Sequence, residues 1–142
     1  MILSGRFDPE QFVRMAGDAI VAAGADGAIV LWNPAAERIF GYTEQEALGR
    51  SLDLIIPERF RQRHWDGYRE VMRTGHTRYG TEVLRVPASH KDGRTLSIAF
   101  TVALMRASKT QAWVIAAIVR DETTRWNEER ELRRRLAELE AR

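Results

Sequence analysis

The sequence contains no cysteine. Disulfides, thiolate metal sites and cysteine nucleophiles are therefore excluded, and nothing points to an oxidising compartment. Long hydrophobic runs are also missing, because the longest, around residues 112–119, falls far short of the roughly 20 residues that a membrane span needs. The amino terminus has no signal-peptide pattern. We therefore expect a cytoplasmic protein that does not engage a membrane.

A strong charge of either sign is absent as well. The 22 basic and 20 acidic residues leave a net charge of only +2, which does not favour nucleic acid as a partner. The sequence has no Gly-rich phosphate loop, no H-E-x-x-H zinc motif and no G-x-S-x-G nucleophile elbow. Its carboxylates are scattered along predicted helix faces. We therefore expect neither an enzyme nor a nucleic-acid-binding protein.

The residues that are present suffice for one folded domain. The chain has 142 residues, of which 44% are hydrophobic, enough to bury a core. Apolar periodicity predicts a helix, two strands, several short helices, three strands and a long helix. Strands grouped at both ends indicate an α+β fold with a five-stranded antiparallel sheet rather than alternating βαβ units. Short helices on one face of that sheet would enclose a cavity.

Turn and capping residues set the limits of the predicted elements. Asp26-Gly27 is typical of a tight hairpin turn. Asn33 before Pro34, and Thr43 with Glu46 three residues later, are helix N-cap signals. Within residues 7–17 a short helix is predicted that is capped by Asp8 and has Pro9 at its first position. Further helices are predicted at 34–40, 44–48, 58–74 and 122–142, and strands at 19–23, 28–32, 79–87, 94–105 and 112–120.

A series of short motifs runs through the whole chain. In order they are Asp26-Gly27, Trp32-Asn33-Pro34-Ala35-Ala36, Phe40-Gly41-Tyr42, Glu46, Gly49, Ile56-Pro57-Glu58, Lys91-Asp92-Gly93 and Val119-Arg120-Asp121 with Thr123. In this order and spacing, over roughly residues 8–124, the chain resembles a PAS sensor domain, such as the sensory-box segment of a bacterial histidine kinase. The resemblance implies an N-terminal helical cap at 1–17, a PAS core at 18–121 and an output helix at 122–142. It also implies an output domain outside these residues.

The resemblance further implies which side chains face the space between the sheet and the helices. The ten candidates are Ile39, Phe40, Leu54, Ile55, Phe60, Ile98, Phe100, Val102, Ile115 and Ala117. This apolar lining suits a small hydrophobic ligand or haem, while a filled core without a ligand is equally compatible with it. The sequence does not identify a cofactor.

His64 is the candidate metal ligand of this region. It follows Pro57 by seven residues, which is similar to the proximal haem ligand of haem-binding PAS oxygen sensors; neutral imidazole is an ordinary ligand of haem iron. Here, however, Tyr68 comes four residues after His64 instead of three, and the distal Arg or Met of those sensors corresponds to Leu84 and Glu82. We therefore expect a surface or cavity-rim imidazole on a basic helix face and no bound iron, with haem ligation as the alternative.

Other ring side chains are assigned by their predicted elements. His76 and His90 fall in loops, where we expect them to be solvated. Trp32 and Trp113 fall on strands, where both core packing and an outward, partner-facing position remain open.

The segment after the last strand resembles the junction between a PAS core and its output helix. The resemblance assigns this role to Asp121 and Thr123; we expect Asp121 to pair with an arginine and Thr123 or Thr124 to cap the helix. Leucines spaced by four and then three residues follow, as in a coiled-coil seam. We predict a parallel homodimer through contacts of Phe12, Met15, Trp126, Leu132, Leu136 and Leu139. The alternatives are a solvated amphipathic helix and a dimerisation module without a small ligand.

Overall fold

Five strands form one antiparallel sheet. The structure, a computed structural model, describes residues 6–77 and 80–142. The strands are β1 (Ala19–Gly24), β2 (Ile29–Trp32), β3 (Leu84–Ser89), β4 (Thr95–Arg106) and β5 (Trp113–Asp121). Their order in the sheet is β2-β1-β5-β4-β3, so the first and last strands of the chain are neighbours at its centre. The predicted α+β class and five-stranded antiparallel sheet are confirmed.

Five helices accompany the sheet. They are α1 (Pro9–Met15), α2 (Pro34–Phe40), α3 (Glu44–Ala47), α4 (Glu58–Thr74) and α5 (Thr123–Glu140), with a 3₁₀ turn at Leu52–Leu54. The segment from α2 to α4 packs onto one sheet face, where alternate residues of each strand point inward. The core lies between the two layers and contains Ala19, Val21, Ala23, Ile29, Trp32, Ala36, Phe40, Ala47, Leu52, Tyr68, Ala88, Leu96, Ile98 and Val119.

Asn33 joins three elements at one edge of this core. It is only 2% exposed, so its polar atoms require partners. Its Oδ1 accepts the backbone N–H of Ala36 at 3.0 Å, which caps α2, and that of Ile20 at 2.9 Å. Its Nδ2 donates to the carbonyl oxygens of Val13 and Asp18. Asn33 thereby fixes α2 against β1 and against the end of α1.

Several predicted boundaries need correction. β3 begins at Leu84, where pairing with Phe100 of β4 starts, so the described residues 80–83 of the predicted strand are not part of it. The predicted first residue, Tyr79, lies outside the described residues. α1 begins as predicted, with Asp8 as its N-cap and Pro9 as its first residue, but it ends at Met15, earlier than predicted, with Ala16 as its C-cap. The limits predicted for α4 are confirmed, with Gly75 ending the helix in the left-handed conformation at φ 74°.

Candidate ligand site and signal junction

Eight of the ten predicted lining residues belong to a packed apolar layer between the sheet and the helices. Phe40 and Ile98 are buried. Ile39, Leu54, Ile55, Phe100, Ile115 and Ala117 are half-buried and pack against the core. Phe60 and Val102 are half-buried too, but neither belongs to that packed set. The packed set also contains five residues that the sequence analysis did not predict: Tyr42, Ile56, Trp65, Tyr68 and Met72. The helical spacing of the last three along α4 was the signal that could have identified them.

Two ring side chains fasten α4 to the turn between β1 and β2. The Tyr68 hydroxyl donates to the carbonyl oxygen of Gly24 at 2.5 Å, and Trp65 Nε1 donates to Asp53 Oδ1 at 2.7 Å. The Trp65 ring lies so close to Gly27 that a Cβ there would come within 2.3 Å of it. Gly27 also adopts φ 81°, which a side chain disfavours. The packing of Trp65 in α4 against the turn therefore depends on the absence of a side chain at Gly27.

His64 lies beside these two rings. Its ring centroid is 4.6 Å from that of Trp65, edge to face, and 5.6 Å from that of Tyr68. Its Nδ1 is buried and has no hydrogen-bond partner among the described residues. Burial lowers the pKa of His64, and the negative charge of Asp53 only partly opposes this. Burial therefore favours the neutral form of the imidazole.

This placement matches the expected cavity-rim position of the imidazole and not the surface position on the basic face of Arg61, Arg63 and Arg69. Arg63 and Arg69 are exposed and Arg61 is half-buried, but His64 lies four residues before buried Tyr68, and such spacing puts both on one face of a helix. The same burial raises the pKa of the Tyr68 hydroxyl. The inward face of α4 thus presents a neutral imidazole and a neutral phenol within an otherwise apolar layer.

Two surface grooves stand out, and both lie away from this layer. A groove of about 220 Å³ lies between α1, β2 and α2. Another, of about 680 Å³, lies between the outer sheet face and the start of α5. Of the ten predicted lining residues, only Phe100 contributes to either groove.

The junction between β5 and α5 is bonded to the neighbouring strand. Asp121 Oδ1 accepts the backbone N–H of Thr123 at 2.9 Å and its hydroxyl at 2.5 Å. The Thr123 Oγ1 in turn accepts the backbone N–H of Ser97 in β4 at 3.0 Å, and Glu122 N–H donates to the Ser97 carbonyl at 2.8 Å. Two expectations were therefore wrong. Asp121 holds Thr123 instead of an arginine, and Thr123 is the first residue of α5 instead of its cap, a position that Glu122 occupies.

A second link joins this junction to the beginning of the sheet. Arg120, the neighbour of Asp121, contacts both carboxylate oxygens of Asp18 at 3.1 Å. Asp18 lies between α1 and β1. The two ends of the PAS-like core are thus joined by a bidentate ion pair, whose fork geometry fixes direction as well as distance.

The predicted dimer contacts are all on the surface. Phe12, Met15, Trp126, Leu132, Leu136 and Leu139 are between 47% and 74% exposed. α5 has no buried residue. Exposed leucines in a regular row on one helix are a feature of interaction surfaces.

Comparison with known proteins identifies the family. A family model described as the PAS fold matches residues 8–121. The chain belongs to the PAS family. Sensor protein FixL of Bradyrhizobium diazoefficiens is 31% identical over 87% of this chain and 23% of its own length. Oxygen sensor protein DosP of Escherichia coli is 28% identical over 82% of this chain and 14% of its own length.

Solved structures agree on the fold. A sensory box histidine kinase/response regulator from Burkholderia thailandensis superimposes with a TM-score of 0.65 at 18% identity, over 94% of this chain and 98% of that chain. This chain therefore has the PAS fold and is similar to a segment of FixL and to a segment of DosP. It spans less than a quarter of the length of the curated relatives FixL and DosP.

The remaining ring side chains of the PAS domain are placed as follows. His76 is exposed, as predicted. The His90 side chain is only 13% exposed, which corrects its assignment as solvated: the turn folds back so that its ring lies against Gly41. Trp32 is buried. Trp113 is half-buried beneath the guanidinium of Arg106, 3.9 Å from its ring centroid.

Residues 6–77 and 80–142 contain neither a membrane-spanning helix nor a metal-binding cluster. None of the helices in these ranges combines the length and apolar character needed to cross a membrane. The same ranges contain no cluster of three or more His, Asp or Glu side chains arranged to hold a metal ion.

Proposed function

We propose that this PAS domain is a regulatory module that forms a homodimer and transmits a change in its core through α5 to an output domain outside these residues. The observation that carries the proposal is the junction: α5 begins at Thr123, whose hydroxyl bonds to β4, and the preceding Arg120 is paired with Asp18. A shift of the central strands would therefore move both terminal helices together. The relatives named as sensors support this assignment, because the matched region is a small part of each.

We propose that the signal is a small apolar molecule taken up between α4 and the inner sheet face. Apart from the His64 Nδ1, the polar groups there are already satisfied, since the Tyr68 hydroxyl and Trp65 Nε1 donate to protein acceptors. An apolar ligand would instead gain from burial against Phe100, Ile115 and other lining side chains.

Native mass spectrometry of the purified protein tests this uptake. We expect an additional small mass that is lost on unfolding. Ala117→Leu, which fills the inner layer, should reduce the bound fraction, whereas Ala116→Leu on the alternate face of β5 should not. If no bound mass is found, even in protein taken directly from cell extract, the domain would instead be a dimerisation module that has no small ligand.

Sedimentation measurements test the homodimer. We expect association that depends on protein concentration and is weakened by Leu132→Glu or Leu136→Glu, because each places a charge in the leucine row. Ala137→Glu, on the opposite side of α5, is the matched control and should leave association unchanged. A wild-type protein that stays monomeric at high concentration would contradict this part of the proposal.

Haem binding at His64 is the second candidate function, and one observation favours it. The imidazole is neutral, faces inward from α4 and has an unpartnered Nδ1, so its donor chemistry fits haem iron. Bound haem would supply reversible gas binding or electron transfer. The space does not fit: the rings of Trp65 and Tyr68 contact the imidazole, and the apolar layer beyond them is packed. The apolar-ligand proposal is therefore preferred.

A further inference from the structure

We propose that the ligand of this domain is a small neutral alcohol or phenol, whose hydroxyl group hydrogen-bonds to His64 Nδ1 while its apolar body lies between α4 and the inner face of the sheet. This inference deepens the ligand uptake proposed above and rests on it. Its basis is one atom: among the buried side-chain nitrogens and oxygens of residues 6–77 and 80–142, only His64 Nδ1 has no hydrogen-bond partner.

His64 Nδ1 is the exception in a region where polar groups are paired. The Tyr68 hydroxyl donates to the carbonyl oxygen of Gly24, and Trp65 Nε1 donates to Asp53 Oδ1. Buried polar groups are nearly always paired in native proteins, and one that is not raises the free energy of the folded state. A ligand that supplies one hydrogen-bonding group to Nδ1 would remove this cost. The site therefore favours such a ligand over a purely apolar molecule of the same shape.

The imidazole lies at the margin of the apolar layer. His64 is half-buried, and its ring centroid is 4.6 Å from that of Trp65 and 5.6 Å from that of Tyr68. Tyr68 belongs to the buried core, and Trp65 packs against it, as does Met72 one turn farther along α4. A molecule held in this layer by its apolar body therefore reaches Nδ1 with a polar group at one end.

A hydroxyl group is the partner that suits Nδ1 best. Burial disfavours the charged imidazolium form of His64, and a neutral imidazole has one N–H and one acceptor nitrogen. Nδ1 therefore donates in one tautomer and accepts in the other. A hydroxyl group does both, whereas a ketone, an ester or an ether only accepts. An alcohol or a phenol thus pairs with His64 in either tautomer.

Charged ligands are disfavoured by the same surroundings. The side chains of the layer are aliphatic or aromatic, so a buried carboxylate would meet no cation there among the described residues. The negative charge of Asp53, which acts on His64, would repel a carboxylate as well. An ammonium group would gain little from Asp53, because Trp65 already donates to this carboxylate and Arg61 Nε lies 3.8 Å from it. The surroundings therefore select a neutral ligand.

Three small probes of similar size test the assignment: p-cresol, toluene and p-toluate. NMR titration gives the dissociation constant of each probe for wild type, for His64→Phe and for the control His76→Asn. We expect the affinity for p-cresol relative to toluene to fall about three- to tenfold in His64→Phe, the contribution of one net hydrogen bond. This ratio should keep its wild-type value in His76→Asn. In all three proteins p-toluate should bind more weakly than p-cresol.

The nitrogen resonance of His64 provides a readout that a change in packing does not reproduce. Binding of p-cresol should shift the signal of Nδ1, whereas toluene bound in the same layer should leave it almost unchanged. His64→Gln, which keeps a group that both donates and accepts, should retain part of the preference for p-cresol.

The possible outcomes separate this inference from the proposed uptake. Equal preferences in wild type and His64→Phe, or tighter binding of p-toluate than of p-cresol while toluene still binds, would overturn the inference and leave the uptake of an apolar molecule intact. A wild-type protein that binds none of the three probes would overturn both.

Discussion

At the scale of single residues, neighbours from distant elements decide what a side chain does. The sequence around His64 indicated a histidine among arginines, and the local view left a surface position and a cavity-rim position both open. The packing of Trp65 and Tyr68 against the β1–β2 turn turns this face of α4 inward. No local pattern contains that information, although the four-residue spacing from His64 to Tyr68 was a usable hint.

The lowered pKa of His64 predicts a pH-dependent stability. The unfolded chain has an ordinary histidine pKa of about 6.5, whereas burial lowers the pKa in the folded state. The unfolded state therefore binds more protons than the folded state below about pH 6.5. The contribution of His64 to the free energy of unfolding is fully present above that pH and is lost as the pH falls. We expect His64→Phe to remove this component.

Denaturant unfolding between neutral and mildly acidic pH measures the effect. The free energy of unfolding of wild type should fall more steeply than that of His64→Phe as the solution is acidified. His76→Asn, a change at an exposed histidine, should follow the wild-type slope. Equal slopes for wild type and His64→Phe would contradict the prediction.

Alanine substitutions at two glycines with the same φ separate the effect of the contact between α4 and the β1–β2 turn from the effect of the backbone conformation. Gly27 and Gly49 both adopt φ 81°, but a Cβ at Gly27 would strike the Trp65 ring, while one at Gly49 meets nothing within 4 Å. Trp65 cannot move away freely because its Nε1 is bonded to Asp53. Gly49→Ala should cost about 1–2 kcal/mol for the left-handed conformation, and Gly27→Ala about 1–3 kcal/mol more.

Thermal and denaturant unfolding of both variants provides the comparison. A similar loss of stability for Gly27→Ala and Gly49→Ala would mean that the close approach of Trp65 does not constrain the turn. Recovery of part of the stability when Gly27→Ala is combined with Trp65→Leu would support the contact as the cause.

At the scale of elements, the sequence predicted best where the signal was local. Pro57 and Gly75 set both ends of α4 correctly, because each residue has a strong intrinsic effect at a helix terminus. The start of β3 was placed too early, since pairing begins only where Leu84 meets Phe100. The role of Thr123 was missed for the same reason: its partner Ser97 is 26 residues away, and a cap is judged from adjacent residues alone.

The Thr123 hydroxyl predicts a measurable contribution of the junction. Thr123→Val keeps the shape but removes both the acceptor for Ser97 N–H and the donor to Asp121. Leaving these groups unsatisfied should cost about 1–3 kcal/mol, seen as a lower free energy of unfolding and faster amide exchange at Ser97. Thr124→Val, at the exposed neighbour, should cost little. If the two variants were equally stable, the link between β4 and α5 would have no energetic weight.

At the scale of the whole molecule, the topology shows how the proposed ligand layer could be connected to both terminal helices. β1 and β5 lie side by side at the centre of the sheet, so α1 and α5 are attached to adjacent strands. The ion pair between Asp18 and Arg120 joins the segment before β1 to the end of β5. The inner faces of the same strands line the apolar layer. The fold class followed from the order of the elements, whereas the closed state of that layer depends on side-chain packing that no sequence pattern specifies.

That packing leads to the last prediction, that the purified protein is colourless and that His64 binds no iron. The imidazole is available as a donor, but Trp65 and Tyr68 lie against it, and the positions of a distal Arg or Met hold Leu84 and Glu82. Added haem should therefore give a weak Soret band, below one haem per chain, that survives both His64→Ala and the control His76→Ala. A sharp band with one haem per chain, abolished only by His64→Ala, would instead show that the apolar layer opens to admit a macrocycle and would make haem the ligand of this sensor.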